Sequence, residues 1–166
     1  LSSTRWTNEA TGTIRVDNAT ARFQDDWSNQ GTVELDGTTG TANLELGSSF
    51  TLSDVGTITR TGDTNVFIEG DLDLEGGTLA LNAATGSYTL NGGIIRNGTI
   101  TEADGSILSF ANNNSNRLDA VSLAQPLNLL DFRSRVRLLN GADFDSTANI
   151  SGNSAALGVE ETTTLT

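Results

Sequence analysis

The sequence predicts an all-β fold, a parallel β-solenoid of about 21 residues per coil and about eight coils. Three observations predict it. A Gly-Thr pair followed by an aliphatic residue recurs at a nearly constant spacing, short segments carry apolar residues at every second position, and turn dipeptides separate those segments. Alternation over three to five residues indicates strands with one buried face. A long and nearly constant period indicates stacked repeats.

Two markers carry the repeat. Successive glycines of the Gly-Thr marker are 19, 25, 21 and 21 residues apart, and Trp6-Thr7-Asn8 lies 21 residues before Trp27-Ser28-Asn29. Small insertions and deletions at turns explain the unequal intervals. The Gly-Thr marker occurs at Gly12-Thr13-Ile14, Gly31-Thr32-Val33, Gly56-Thr57-Ile58, Gly77-Thr78-Leu79 and Gly98-Thr99-Ile100.

The predicted strands are short and follow one another along most of the chain. An antiparallel sandwich could use the same strands, but it needs no fixed period of this length, so the solenoid is favoured. The strands are predicted at Thr13–Val16, Thr32–Leu35, Asn43–Leu46, Ser49–Leu52, Thr57–Arg60, Asn65–Glu69, Asp71–Leu74, Thr78–Leu81, Tyr88–Leu90, Ile94–Arg96 and Thr99–Thr101.

Turns are predicted where Gly follows Asp, Asn or Gly, because these residues tolerate positive φ. The dipeptides are Asp36-Gly37, Gly76-Gly77, Asn91-Gly92, Asn97-Gly98, Asp104-Gly105 and Asn140-Gly141. The run Asn112–Asn114 with Asn116 predicts a loop or part of a side-chain amide ladder.

The last third of the sequence keeps the alternation but loses the Gly-Thr marker. Alternating segments are Leu118–Leu123, Leu127–Leu129, Val136–Leu138 and Ala148–Ile150. We expect the solenoid to continue there with altered turns; a capping element or a distorted coil is the alternative. The whole chain, 1–166, is therefore interpreted as one solenoid segment.

Composition excludes several classes of function. The net charge is −12, and a surface of that sign repels the phosphates of nucleic acids and anionic membranes. The chain has no His, Cys, Lys or Met, which excludes disulfides, thiol nucleophiles, imidazole bases and thiolate zinc sites. Acid–base chemistry would fall to carboxylates or to Tyr88. We expect no catalytic residues and no enzymatic activity.

The repeat style resembles that of a known class. Coils that read Trp-x-Asn followed by Gly-Thr-(Ile/Val), then Gly77-Thr78-Leu79-Ala80-Leu81-Asn82, are similar to the degenerate repeats of large bacterial surface proteins, the filamentous-haemagglutinin-like adhesins and autotransporter passenger domains. The resemblance covers about residues 6–150 and implies a right-handed parallel β-helix with a structural or adhesive role outside the cell. Pectate-lyase-like enzymes share this architecture, so a polysaccharide-binding or polysaccharide-degrading protein is the alternative.

One row of acidic residues is the candidate metal site. Asp71, Asp73 and Glu75 alternate with leucines, which would place three carboxylates on one outward strand face. Calcium takes several oxygen ligands, so it is the ion such a row could bind. The other interpretation, which we favour, is a solvated face over buried leucines with no cofactor.

Two further groups are candidates for binding a glycan or a partner. Arg133, Arg135 and Arg137 form an alternating basic strip, and arginine forks bind carboxylate or sulfate. The same strip could instead neutralise carboxylates on adjacent coils. Trp6 and Trp27 would stack in equivalent coil positions, either as an exposed sugar platform or, as we favour, as a structural stack.

The residues at the two ends of the sequence predict that the solenoid continues beyond them. The chain starts at Leu1 within the pattern, and neither Leu1 nor Thr166 is flanked by a charged, helical or proline-rich cap. Unpaired strand edges are adhesive. We therefore expect further coils beyond the ends, or copies joined end to end as a filament, in a secreted or cell-surface protein.

Overall fold

A computed structural model of the chain describes residues 5–160 and shows an all-β protein with one four-residue helix, α1 (Leu52–Val55). Leu1 and Thr166, where uncapped ends are predicted, lie outside the described residues. The strands, in chain order, are β1 (Trp6–Asn8), β2 (Thr13–Asp17), β3 (Thr20–Phe23), β4 (Trp27–Asn29), β5 (Thr32–Leu46), β6 (Ser49–Thr51), β7 (Thr57–Ile68), β8 (Asp71–Asp73), β9 (Thr78–Leu81), β10 (Tyr88–Leu90), β11 (Ile94–Glu102), β12 (Leu108–Phe110), β13 (Arg117–Leu123), β14 (Leu127–Leu129), β15 (Arg135–Leu139), β16 (Asp143–Phe144), β17 (Ala148–Ile150) and β18 (Ala156–Val159).

The strands form three parallel stacks, because each coil pairs only with the coils before and after it. The first stack contains β1–β4 and then β6–β8–β11–β13–β15–β18. The second contains β2–β5–β7 and β9–β11–β13–β16, and the third contains β3–β5–β7–β10–β12 and β14–β17. The longest strands bend at a corner and so belong to two stacks. This arrangement confirms the parallel solenoid and excludes facing antiparallel layers.

The dimensions differ slightly from those predicted. The solenoid has about seven turns, about 22 residues apart, where the sequence predicts about eight of about 21. Insertions lengthen some coils: Thr32 is in register with Thr57, 25 residues later, and α1 lies in that interval. The last third continues the same parallel stacks from β13 to β18, so the described part of this region is regular solenoid.

Two predicted turns are bends inside continuous strands. Asn97-Gly98 lies within β11, where Asn97 has φ 55°, and Asp36-Gly37 lies within β5 beside an irregularity in the pairing with β7. At Asn97 one residue in the left-handed region changes the chain direction, and pairing with β13 resumes at Gly98. Asn tolerates that conformation at low cost, so no separate loop is needed. After Gly37, pairing with β7 resumes at Thr41.

The core is a set of aliphatic ladders running along the solenoid. In the third stack, Leu46, Ile68, Leu90 and Phe110 are in register on successive coils, and each is at least 97% buried. Burying one such side chain stabilises the fold by about 1.5–3 kcal/mol. Strand alternation places these residues inward and leaves their neighbours on the outer surface.

Buried asparagines join the coils at one corner. Asn29 and Asn116 are fully buried. The Asn29 Nδ2 donates to the Val55 carbonyl at 2.7 Å and its Oδ1 accepts from the Asn8 Nδ2 at 2.7 Å. An inward amide is stable here because it satisfies main-chain groups that the corner leaves without ladder partners.

Candidate functional site

The two tryptophans form the start of an internal ladder. Trp6 and Trp27 are register partners, and their rings stack at 6.4 Å between centroids. Trp27 is 1% exposed, packs on Phe50 at 4.9 Å and donates from Nε1 to the Gly47 carbonyl at 2.9 Å. A sugar platform needs an exposed ring face. The geometry at Trp27 is therefore that of core packing, with the half-buried Trp6 closing the ladder at its N-terminal side.

The three carboxylates of the predicted row do not all lie on one strand. Asp71 and Asp73 lie on β8, but Glu75 has φ 51° and lies in the following turn. Asp71 is ion-paired with Arg96 of the next coil, while Asp73 accepts hydrogen bonds from the Glu75 amide at 2.9 Å and from Asn97 at 3.2 Å. These contacts occupy the oxygens that a cation would need. Residues 5–160 contain no group of three acidic side chains close enough to hold a metal ion.

Two of the three arginines of the predicted strip lie on one strand. Arg135 and Arg137 point outward from β15, as the alternation predicts. Arg133 does not continue the strip, because it lies in the preceding turn with φ 58° and its guanidinium packs on the ring of Phe132 at 4.9 Å. The strand therefore begins after Arg133, and a role for Arg133 in binding stays a prediction.

A third arginine, which local alternation did not identify, completes the cluster. Arg117 on β13 is the register partner of Arg137, so the two side chains project side by side from adjacent coils. The separation of 20 residues, close to one coil, is the sequence signal that could have found it. We refer to Arg117, Arg135 and Arg137 as the arginine cluster.

A recess lies beside the arginine cluster. It has a volume of about 220 Å³, and its walls are the 113–116 corner segment and strands β15 and β18. The Arg135 Nη1 donates to the Asn114 Oδ1 at 2.7 Å, and the Arg117 Nη1 donates to the Ser115 carbonyl at 3.2 Å. The first bond holds the Arg135 guanidinium at the wall of the recess, and the second holds Arg117 on the neighbouring corner segment. The Asn112–Asn114 run is thus a loop, as one of its two interpretations predicts.

The cluster has few compensating charges in the described residues. Glu160 is ion-paired with Arg137, and its Oε2 lies 3.6 Å from the Arg117 Nε. Arg135 forms no ion pair within residues 5–160, and its Nε is buried without a hydrogen-bond partner there. Three cations and one carboxylate leave a local excess of positive charge on a chain whose net charge is −12.

Most other arginines pair with carboxylates on neighbouring coils. The Arg15 Nη2 lies 2.7 Å from the Asp36 Oδ2, and Arg22 is ion-paired with Glu45. Arg22 and Glu45 are register partners, while Asp36 lies two residues beyond Glu34, the register partner of Arg15. Stacking places register partners on adjacent coils about 4.8 Å apart. Such exposed pairs each contribute about 0–1 kcal/mol and mainly fix which surface charges are neutralised.

Two inward charged residues interrupt the second stack. Arg60 is in register with the buried Leu35, its Nη1 donates to the Ser87 carbonyl at 2.9 Å, and it lies over the Tyr88 ring at 5.2 Å. Burial lowers the pKa of Arg60 and raises the pKa of Tyr88. Glu102 is in register with Leu81, and its raised pKa also results from burial. The break in alternation at these positions is visible in the sequence, although its structural role is not.

No helix in the described part of the chain is long and apolar enough to cross a membrane. Comparisons of the sequence and structure with protein-family models, curated proteins and solved structures find no match.

Proposed function

We propose that this chain is a segment of a stiff structural rod in a secreted or cell-surface protein, where it acts as a spacer or an adhesive module. The observation that supports the proposal most is the continuity of the stacks: each coil repeats the backbone pairing of its neighbours from β1 to β18. In such a solenoid every coil stabilises the next, so rigidity and length increase together. Seven turns extend about 34 Å along the axis at about 4.8 Å per turn.

The outer surface supports the same role. Side chains on adjacent coils bond to one another along the axis, as in Asn65 to Asn43 at 3.0 Å and Asn149 to Asn128 at 2.8 Å. These ladders tie the coils together on the outside while the aliphatic ladders do so on the inside. The acidic surface favours solubility of an extended rod.

The last described coil suggests how the rod extends. Ile150 and Val159 are in register with the fully buried Leu129 and Leu138, yet they are 48% and 46% exposed. Another coil stacked on β17 and β18 would bury them. We propose that a second copy of the chain, or further coils of a longer protein, supplies that surface.

Sedimentation velocity over a range of protein concentrations, with electron microscopy, tests end-to-end association. Ile150→Lys with Val159→Lys places two charges on the stacking surface, and we expect this variant to remain monomeric where the unaltered chain forms longer rods. Asn149→Lys is the control for Ile150→Lys alone, because it adds the same single charge on the outer side of β17. Circular dichroism verifies that each variant is folded. A chain that stays monomeric at every concentration would contradict association of copies.

A further inference from the structure

The arginine cluster and its recess have a geometry that a structural rod does not require. We propose that they form a binding site for the charged groups of an acidic polysaccharide, the carboxylate of a uronic acid or a sulfate ester. This proposal goes beyond the rod function and does not depend on end-to-end association.

The first argument is the arrangement of donors. Arg117 and Arg137 are register partners and Arg135 lies two residues before Arg137, so three guanidinium groups converge on one patch. A guanidinium presents a planar fork of N–H donors that matches two oxygens of a carboxylate or sulfate. One oxyanion beside Arg135 would accept from N–H groups of its guanidinium other than the one that bonds to the Asn114 Oδ1.

The second argument is the open space in front of those donors. In β18, the register partners of Arg135 and Arg137 are Ala156 and Gly158, the two smallest residues. A Cβ built on Gly158 would lie 3.3 Å from the Arg137 Cγ, so any larger residue there would press on the arginine stem. Arg22, by contrast, ion-pairs with its register partner on the next coil, Glu45. Here the next coil leaves a recess of about 220 Å³.

The third argument is the chemistry of the wall. Asn113, Asn114 and Asn116 line the recess, although the Asn116 amide itself is buried and bonded to the main chain. Amide side chains both donate and accept hydrogen bonds, as sugar hydroxyl groups do. An arginine pair for the charged group beside amides for the hydroxyls fits an acidic sugar.

The proposal predicts the direction in which affinity should change when the charge of Glu160 is removed. Its carboxylate is ion-paired with Arg137 and lies near Arg117, so it occupies part of the position that an external oxyanion would take. Removing this charge should strengthen binding, whereas loss of structure could only weaken it.

The test is calorimetric titration of the full chain with dextran sulfate, polygalacturonate and neutral dextran. We expect binding to one or both charged polymers and none to dextran; the polymer that binds more tightly identifies sulfate or carboxylate as the preferred group. Arg135→Gln and Arg117→Gln should each weaken binding about tenfold or more, since each removes charge-assisted hydrogen bonds. Arg135→Lys should fall between, because it keeps the charge and loses the fork. Glu160→Gln should bind several-fold more tightly.

Two controls separate the site from general electrostatics. Arg22→Gln removes the same charge from a distant ion pair and should leave affinity unchanged. Ala156→Leu fills the recess without changing any charge and should weaken binding. The proposal is overturned if neither charged polymer binds, if Arg22→Gln weakens binding as much as Arg135→Gln, or if Ala156→Leu and Glu160→Gln both leave affinity unchanged.

Discussion

Asn116 joins three successive coils, and its replacement by alanine should destabilise the solenoid more than any surface change nearby. Its Oδ1 accepts from the Gly92 amide, and its Nδ2 donates to the carbonyls of Arg135 at 2.9 Å and Ala111 at 3.0 Å. The residue is 0% exposed. Truncation would therefore leave main-chain groups at this corner without partners and out of reach of bulk water.

The size of the effect follows from those contacts. The Ala111 carbonyl keeps a second donor, the Asn113 amide at 2.8 Å, so it is not orphaned. The Gly92 N–H and the Arg135 carbonyl lose the side-chain partner, and each unsatisfied buried group costs about 1–3 kcal/mol. We expect Asn116→Ala to lower the free energy of unfolding by about 2–5 kcal/mol.

Urea denaturation followed by far-ultraviolet circular dichroism measures this change. With a denaturant slope of about 2 kcal/mol per molar, the midpoint should fall by about 1–2.5 M. Asn112→Ala is the matched control: it is the same substitution in the same corner loop, at an exposed residue, and should change stability by less than about 0.5 kcal/mol. If the two variants unfold at the same urea concentration, the buried amide does not stabilise the coils and the reasoning fails.

Two further predictions concern other residues inside the stacks. Burial raises the pKa of Glu102 above its ordinary value of 4.5, so the folded state retains its proton more readily than the unfolded state and loses stability as pH rises through that window. Glu102→Gln should therefore be more stable than the unaltered chain at pH 7 and should lose that advantage in melting experiments as pH falls toward 4.5; an advantage that is independent of pH would contradict this. Gly37→Ala should lower the urea midpoint clearly, since the new Cβ would lie 1.8 Å from the Asp63 carbonyl oxygen, whereas Gly40→Ala meets only the Asn18 side chain, at 3.0 Å, and should have little effect. Equal midpoints for the two glycine variants would show that the main chain shifts freely at this corner.

The strand positions could be predicted from local alternation because inward and outward residues differ in polarity. Strands β9 (Thr78–Leu81), β10 (Tyr88–Leu90), β14 (Leu127–Leu129) and β17 (Ala148–Ile150) have the predicted bounds. Strand β12 was missed, although Leu108 and Phe110 are both buried, because the adjacent Ile107 is also apolar and hides the alternation while being 43% exposed. The stacking of Trp6 on Trp27 was predictable because a marker of three residues repeats without insertion between its copies.

The candidate site was only partly predictable. Arg135 and Arg137 were identified from alternation on one strand, whereas Arg133 lies in the turn before that strand, and no local pattern shows that its φ is positive. Arg117 belongs to the cluster only through its register with Arg137. The recess depends on Ala156 and Gly158, whose small size has meaning only opposite the arginines of the preceding coil.

The sequence by itself determined the architecture. A parallel solenoid imposes the same inside–outside pattern on every coil, so its period is visible in the order of the residues. Only the tertiary structure decided which side chains from different coils share a surface. Insertions at turns change the spacing between coils by several residues, and a shift of one residue reverses the face on which a side chain lies. The core tolerates such shifts because many aliphatic residues fill it equally well, whereas a cluster of three guanidinium groups exists in one register alone.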